Sequence, residues 1–151
     1  MANIFPETLY PQLEAINRAR YAGGGFDLEL ENWANTAFSA DRRLMVYGSL
    51  APGQSNHQIV SDIPGTWIEG VHVQGERFEL GWGADMGYPG FTWIPEGPSV
   101  SGWLLKSKSL PAHWPRLDVF EGPQYCRILV PVFLHRDFLT VANIYEAREE
   151  T

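Results

Sequence analysis

From residue 44 onward, the hydrophobic positions of the chain mostly follow the two-residue period of β-strands. In TWIEGVHVQGERFELGW the alternation changes phase, because Val71 and Val73 occupy odd positions whereas Phe78 and Trp82 occupy even ones. Since side chains alternate strictly along a strand, this change predicts a β-bulge or a sharp bend beside Gly75. The other predicted strands lie in LMVYGSL, SVSGWLLKS, YCRILVPVFL and FLTVANIYEA, with pairing resumed over residues 91–94.

The segment RILVPVFL carries apolar residues in both phases of the alternation, which predicts that both faces of this strand are covered. A short helix, LPAHWPRLDVFEG, precedes it and is stopped by Gly122. Several strands with a bulge, and only one clear helix between the late ones, favour a small barrel over a doubly wound sheet. The predicted fold class is therefore α+β, a small mixed β-barrel flanked by short helices, in a domain that covers residues 44–147.

Residues 1–43 show a helical pattern instead. Leu9, Leu13 and Ile16 recur at helical spacing, the glycines at 23–25 supply a stop, and FDLELENWANTAF predicts a second short helix. We interpret this segment as an N-terminal helical extension outside the main fold. Its apolar stripe needs a cover, which is either the domain that follows or a second copy of the chain in a homodimer.

The composition fits one domain and excludes some partners. Of the 151 residues, 44% are hydrophobic and 19% are charged, which is enough apolar material for a core. The formal net charge is −7, and the longest basic run is the pair Arg42-Arg43. Because nucleic acids and anionic membrane surfaces are bound largely through positive charge, we expect neither as a partner.

Signals for metals, cofactors and targeting are also missing from the sequence. Cys126 is the one cysteine, and the four histidines have no HxH or HExxH spacing, so we expect no metal site. No phosphate-binding GxxxxGK occurs, and no glycine-rich strand–turn–helix predicts a dinucleotide site, so we expect no cofactor. The first residues lack a signal-peptide pattern, and no apolar run has the roughly 20 residues of a membrane helix. The expected location is the cytoplasm.

Two carboxylates in the predicted helix are the first candidates for chemistry. Asp118 and Glu121 are three residues apart and therefore share a helix face, an arrangement that solvated helices carry routinely. Two details favour a functional interpretation. Leu117 and Phe120 place apolar groups beside the carboxylates, and Glu121 lies in the last turn, where it meets the negative end of the helix dipole. Both effects raise the pKa of a carboxyl, which suits a base.

The motifs in this order resemble the γ-glutamylcyclotransferase superfamily, especially its AIG2-like branch. The resemblance is carried by VYGSL, GQSNH, LDVFEGPQYCRILVPV and VANIYEA, and it covers residues 44–147. It implies a small mixed β-barrel with flanking helices, and it gives the first 43 residues no counterpart in the minimal family domain. It also implies release of 5-oxoproline from a γ-glutamyl compound, as the α-amine of the substrate attacks the γ-carbonyl and expels an amine or amino acid.

The resemblance also implies roles for particular residues. Glu121 corresponds to the acid/base glutamate, and Tyr125 to a tyrosine that lines the pocket. The loop that donates backbone N–H groups to the substrate corresponds to Tyr47, Gly48, Ser49 and Leu50. Uncovered N–H groups at a Gly-Ser turn bind anions without a cationic side chain, which explains why this loop is uncharged. Ser49 lacks the GxSxG spacing of a nucleophile elbow, so we interpret it as a turn residue.

Two alternatives stay open beside a cyclotransferase. One is an enzyme of the same fold that acts on a different amide or a related linkage, and the other is a non-catalytic binding module for small molecules. The identity of the leaving group also stays open, because the pocket wall that would contact it is made of loops, to which we expect GADMGYPGF to contribute. The absence of cations in the pocket loop favours small γ-glutamyl amino acids or γ-glutamylamines over glutathione, unless Arg77 or Arg127 turns inward.

Overall fold

The computed structural model of the protein describes residues 6–22, 26–79 and 89–147. Within these ranges, the chain forms three α-helices, six β-strands and short 3₁₀ turns. The glycines at 23–25 and residues 80–88, which include the first six residues of the predicted GADMGYPG loop, lie outside the described residues. The last two residues of that loop, Pro89 and Gly90, belong to a strand. The helices are α1 (Tyr10–Tyr21), α2 (Leu28–Phe38) and α3 (Leu110–Glu121), and the strands are β1 (Arg43–Val46), β2 (Thr66–Glu79), β3 (Pro89–Trp93), β4 (Ser99–Lys106), β5 (Tyr125–Leu134) and β6 (Asp137–Ala147).

Five of these strands close into a mixed barrel, as the sequence predicted. The neighbours run in the order β2, β4, β1, β6, β5, and β5 returns to β2 at Val71↔Leu134 and His72↔Phe133. The pair β1–β6 is parallel, with Leu44 opposite Asn143, and the other pairs are antiparallel. The strand β3 extends the sheet outside the barrel by pairing with the second half of β2.

The bulge in β2 lies five residues earlier than predicted. The register between β2 and β4 shifts between Glu69 and Val71, where Gly70 adopts a φ of +78° that glycine reaches without strain. At Gly75, where we expected the irregularity, the strand instead changes partner from β4 to β3. The phase change therefore marks the point at which β2 leaves the barrel, because Val73 is fully buried whereas Phe78 is partly exposed.

Both faces of β5 are covered, as its two apolar phases predicted. Ile128, Val130 and Val132 pack in the cluster to which all six strands contribute, and Leu129 packs on the opposite side against α1. The two phases of the strand thus meet two different partners. This arrangement explains why the sequence of β5 is continuously apolar although the strand is antiparallel to its neighbours.

The apolar stripe of the N-terminal segment is covered by the barrel of the same chain. Leu13 and Ile16 on α1 are fully buried with Leu129 and Val141 of the last two strands. Asn17 joins this contact through its side-chain amide, whose Nδ2 donates to Leu129 O at 2.9 Å and whose Oδ1 accepts from Leu129 N at 2.8 Å. The strand β5 pairs with β2 only at its far end, so α1 takes the place of a strand neighbour here.

The helix α3 covers another side of the barrel. Leu110, Trp114 and Leu117 are buried in a cluster that includes Leu44 and Val46 of β1. Glu121 is the last residue of the helix, and Gly122 ends it with a φ of +85°. Because this turn sends the chain directly into β5, the end of α3 is fixed beside the start of that strand.

Candidate active site

The strand pairing brings three chain segments to one end of the barrel. Since β1 runs parallel to β6 with Leu44 opposite Asn143, the end of β1 lies level with Tyr145. In the neighbouring pair, Tyr145 is opposite Arg127, so the beginning of β5 is at the same level. The loop that follows β1 and the end of α3, which leads into β5, therefore meet at this end.

All six residues that the resemblance implicated line one cavity there. The cavity has a volume of about 380 Å³, measured out to its open mouth. Three further lining residues, Met45, Val46 and Tyr145, were not predicted as site residues. Tyr145 lies in the quoted motif VANIYEA, and its inward position follows from the strand pairing, which the sequence alone did not supply. The lining residues are Met45, Val46, Tyr47, Gly48, Ser49, Leu50, Glu121, Tyr125 and Tyr145.

The loop after β1 offers donors while its own acceptors are occupied. The carbonyl of Gly48 accepts from Ala51 N at 3.0 Å, and that of Ser49 accepts from Asn56 N at 2.8 Å. Within the described residues, the backbone N–H groups of Gly48, Ser49 and Leu50 donate no hydrogen bond. Because unpaired backbone donors need a partner, these amides are available to an anionic or carbonyl group in the cavity.

The side chain of Ser49 is part of the loop structure. Its Oγ accepts a hydrogen bond from Asn56 Nδ2 at 3.1 Å. The nearest histidine in sequence, His57, has its Nδ1 2.9 Å from Leu50 O instead. A nucleophilic serine needs a base within hydrogen-bond reach of its hydroxyl. The geometry therefore favours the interpretation of Ser49 as a turn residue.

Glu121 is a partly buried carboxyl in the wall of this cavity. Burial raises the pKa of Glu121 from its ordinary value of 4.5 to about 7, and the negative charge of Asp118 adds to the rise. The apolar groups beside it differ from those expected. Leu117 is buried in the core beneath the helix, whereas Phe120 is 40% exposed and does not line the cavity. Residues of β1 and the loop supply the apolar wall instead.

Two tyrosines in the cavity are kept as hydroxyls. The Oη of Tyr47 donates to Tyr145 O at 2.9 Å, and the Oη of Tyr145 donates to Asp118 Oδ1 at 2.7 Å. Burial raises the pKa of Tyr47 well above its ordinary value, and the charge of Glu121 contributes to this rise. Burial and the Asp118 carboxylate also raise the pKa of Tyr145. Both side chains thus act as neutral hydrogen-bond donors around the carboxylates.

Asp118 is itself paired with an arginine. Arg127 Nε and Nη2 donate to its two carboxylate oxygens at 2.9 and 3.3 Å. The Arg127 guanidinium also lies over Trp114, 4.4 Å from the ring centroid. Arg127 is therefore occupied in the wall behind the cavity, although the sequence allowed it to turn inward.

A second cavity adjoins the first and shares Tyr47 and Gly48 with it. Its volume is about 720 Å³, and Arg77 and Glu69 lie in its lining. The side chain of Arg77 forms no hydrogen bond or ion pair within the described ranges. Of the two arginines that the sequence singled out, Arg77 is thus the one that lines a cavity next to the Gly-Ser loop.

Two further observations concern metals and membranes. Among the residues that the structure describes, no group of three or more His, Cys, Asp or Glu side chains is arranged to hold a metal ion. The longest α-helices in the same ranges have 12 residues, and none is long and apolar enough to span a bilayer.

The fold and the cavity define a class of small mixed β-barrel proteins in which a partly buried glutamate faces an uncharged Gly-Ser loop. The family model described as Gamma-glutamyl cyclotransferase, AIG2-like, matches residues 44–151. The chain therefore belongs to this family, as its motifs predicted. Comparison with curated proteins gives no match.

Solved structures agree with this fold. An AIG2-like protein from Mus musculus is similar with a TM-score of 0.56 and 20% identity, over 73% of this chain and 79% of that one. YkqA from Bacillus subtilis is similar with a TM-score of 0.54 and 23% identity, over 71% of this chain. The match covers only 36% of the length of YkqA. A protein from Arabidopsis thaliana has a TM-score of 0.52 at 20% identity, over 73% of this chain and 70% of that one.

Proposed function

We propose that the protein is a γ-glutamylcyclotransferase-type enzyme that converts a γ-glutamyl amide into 5-oxoproline and a free amine or amino acid. Glu121 acts as the general acid/base, and the loop of Tyr47, Gly48, Ser49 and Leu50 binds the substrate through its backbone. Tyr125 lines the pocket, and a small γ-glutamyl compound is the partner. Membership of the family supports the reaction class.

The observation that carries the proposal is the convergence of the glutamate and the loop amides on one cavity. A γ-glutamyl group brings an α-carboxylate, an α-amine and a γ-carbonyl oxygen. Unpaired N–H groups suit the carboxylate or the developing oxyanion, because donors held in place stabilise negative charge without reorganisation. A carboxylate beside them suits the amine. The second cavity also contains Gly48 and a carboxylate, but that carboxylate is the exposed Glu69, and Ser49 and Leu50 do not line this cavity.

The protonation state of Glu121 fits the proton transfers of this reaction. An α-amine has an ordinary pKa of about 7.7–8.0 and reaches the site largely protonated. A carboxyl whose pKa is about 7 accepts that proton near neutral pH and can also return it. The freed nitrogen attacks the γ-carbonyl carbon, and Glu121 hands its proton to the leaving nitrogen as the bond from that carbon to the leaving nitrogen breaks. The regenerated Glu121 carboxylate then takes the surplus proton from the new ring nitrogen and releases it to solvent or to the freed amine. Atoms balance without water or a cofactor.

Ring closure is intramolecular, so the remaining task of the site is to fold the substrate into its attacking conformation. The apolar wall of Met45 and Val46 can pack against the methylene groups of a glutamyl chain, while the loop holds the polar end. Tyr47 and Tyr145 face the same space as neutral hydroxyl-bearing side chains.

The direct test is to incubate the full chain with γ-glutamyl dipeptides, γ-glutamylamines and glutathione, and to measure 5-oxoproline by mass spectrometry. We expect 5-oxoproline and the free amine in equal amounts from at least one class, formed about 10²–10⁴-fold more slowly by a Glu121→Gln variant. Release of free glutamate instead would show hydrolysis of the γ-glutamyl amide by water in place of cyclisation. Binding of these compounds without product would favour a non-catalytic binding module.

A further inference from the structure

A polar network connects the N-terminal segment to the wall behind Glu121. It begins at Asp118, which accepts hydrogen bonds from the Arg127 guanidinium and from the hydroxyl of Tyr145. The position of the negative charge next to Glu121 therefore depends on how Arg127 is held. Each donor to Asp118 comes from a different strand, since Arg127 lies on β5 and Tyr145 on β6.

Arg127 is held by Asn143 on β6 and by Arg20, and Asn143 is in turn held by residues of the N-terminal segment. Arg127 Nη1 donates to Asn143 Oδ1 at 3.1 Å, and Arg20 Nη1 on α1 donates to the same oxygen at 2.8 Å. Arg20 Nη1 also donates to the backbone carbonyl of Arg127 at 2.9 Å. The Asn143 amide is fixed from its other end, because Nδ2 donates to Ala40 O at 2.8 Å. Arg20 thus contacts both the backbone of Arg127 and the amide that orients its side chain.

The charges of this network are balanced by a second carboxylate. Arg20 Nε and Nη2 each donate to Glu31 on α2 at 2.8 Å, and the two side chains are only 8% and 14% exposed. Two guanidiniums that converge on one amide oxygen repel each other. Glu31 and Asp118, at opposite ends, compensate this repulsion. The Asp118 end is 44% exposed, whereas the Arg20–Glu31 end is buried and needs both members in place.

We propose that Arg20 is a positioning residue for Glu121, and that the N-terminal segment, which lies before the residues matched by the family model, is a working part of the site. The inference rests on the proposed function in assigning the acid/base role to Glu121. Arg20 does not touch the cavity that holds Glu121. It acts through Asn143, which fixes the position of the Arg127 guanidinium, and this guanidinium compensates the negative charge of Asp118.

Loss of Arg20 should raise the pH at which Glu121 ionises. Without Arg20, the Arg127 guanidinium is anchored less firmly and compensates the charge of Asp118 less, so the Glu121 carboxylate becomes harder to form. Asp118 on α3 is the charged group that acts on Glu121 itself. The other charged and titratable groups act on the cavity tyrosines Tyr47 and Tyr145 or line the cavity, and they are Arg77 on β2, Tyr125 and Arg127 on β5, and Glu146 on β6. Of these residues, Arg20→Met directly affects only Arg127, whose backbone carbonyl loses a hydrogen bond.

The experiment compares three variants of the full chain. Arg20→Met removes the anchor, and Arg20→Met/Glu31→Met removes the whole ion pair, which keeps the net charge and avoids a buried unpaired carboxylate that would prevent folding. Asn17→Leu is the matched control, because the Asn17 side chain also ties α1 to β5 but, among the described residues, forms hydrogen bonds only with the backbone of Leu129. A merely structural role of α1 would make all three variants behave alike.

Two readouts are measured, the NMR titration of the Glu121 side-chain carboxyl and the pH profile of kcat/KM. We expect both Arg20 variants to raise the titration midpoint by about half a pH unit or more, and to lower kcat about 10- to 100-fold with little change in KM. Asn17→Leu should keep the wild-type midpoint while it lowers Tm.

Wild-type midpoints in both Arg20 variants would overturn the proposal. Failure of the wild-type chain to form 5-oxoproline would instead refute the proposed function, and the NMR titration would still decide the role of Arg20.

Discussion

Replacing Glu121 with glutamine should slow turnover and stabilise the protein at alkaline pH. Both effects follow from the position of Glu121, an ionisable carboxyl in a cavity wall where burial disfavours its charged form. Glutamine keeps the shape of the side chain and removes the proton transfer. Since general acid/base groups typically contribute about 10²–10⁴-fold, we expect kcat to fall by about this factor.

The gain in stability follows from the raised pKa. In the unfolded chain the carboxyl ionises near its ordinary 4.5, whereas in the folded protein it ionises near 7. Between these values the folded state holds a proton that the unfolded state has lost, so the free energy of unfolding falls as the pH rises through this window. At 1.36 kcal/mol for each unit of pKa, the full loss is about 3 kcal/mol, and solvent at the cavity mouth reduces it. Glutamine does not suffer this loss.

Urea denaturation of both proteins measures the effect. The stability of Glu121→Gln relative to wild type should increase by about 1–2 kcal/mol from about pH 5.5 to about pH 8.5. Comparison across pH cancels any constant effect of the amide. Glu76→Gln, which removes an exposed charge from β2, controls for the change in net charge. A pH-independent difference together with wild-type turnover would refute both the raised pKa and the acid/base role.

Three other results are expected. Ser49→Ala should keep most of the activity, because its hydroxyl only accepts from Asn56, and a complete loss in a folded variant would favour a covalent mechanism. Asp118→Asn should move the acid limb of the pH profile to lower pH, since it removes a negative charge that raises the pKa of Glu121, and an unmoved limb would show that burial alone sets this pKa. Small γ-glutamyl amino acids or γ-glutamylamines should have a higher kcat/KM than glutathione, and the reverse order would show that Arg77 supplies the cation that the loop lacks.

The barrel and the lining of the site could be predicted where short motifs carry them. The two phases of RILVPVFL predicted a strand covered on both faces, and VYGSL with LDVFEG located the loop and the glutamate. The position of the bulge could not be predicted, because the alternation of β2 reports its change of partner as strongly as its irregularity. A change in phase therefore shows that a strand is interrupted, but it does not identify the residue at which the interruption occurs.

The hydrogen-bond network of Arg20, Asn143 and Arg127 could not be predicted from local sequence patterns. Arg20 and Asn143 are 123 positions apart in the sequence, and only the docking of α1 on β5 brings their side chains together. The amphipathic spacing of Leu9, Leu13 and Ile16 did predict that this helix needs a cover. It carried no information on the polar residue one turn further on, which reads in isolation as a solvated arginine.

The pairing of β1 with β6 determines when the cavity can form while the chain is being synthesised. Since β1 is held in the barrel by β4 and β6, the loop that follows β1 acquires its Tyr145 wall only after β6 has left the ribosome. Contacts between such distant segments form slowly, because a long loop must close before they yield any stabilisation. A nascent chain that already contains the Gly-Ser loop and Glu121 should therefore be inactive, and activity should appear in one step with the closure of the barrel.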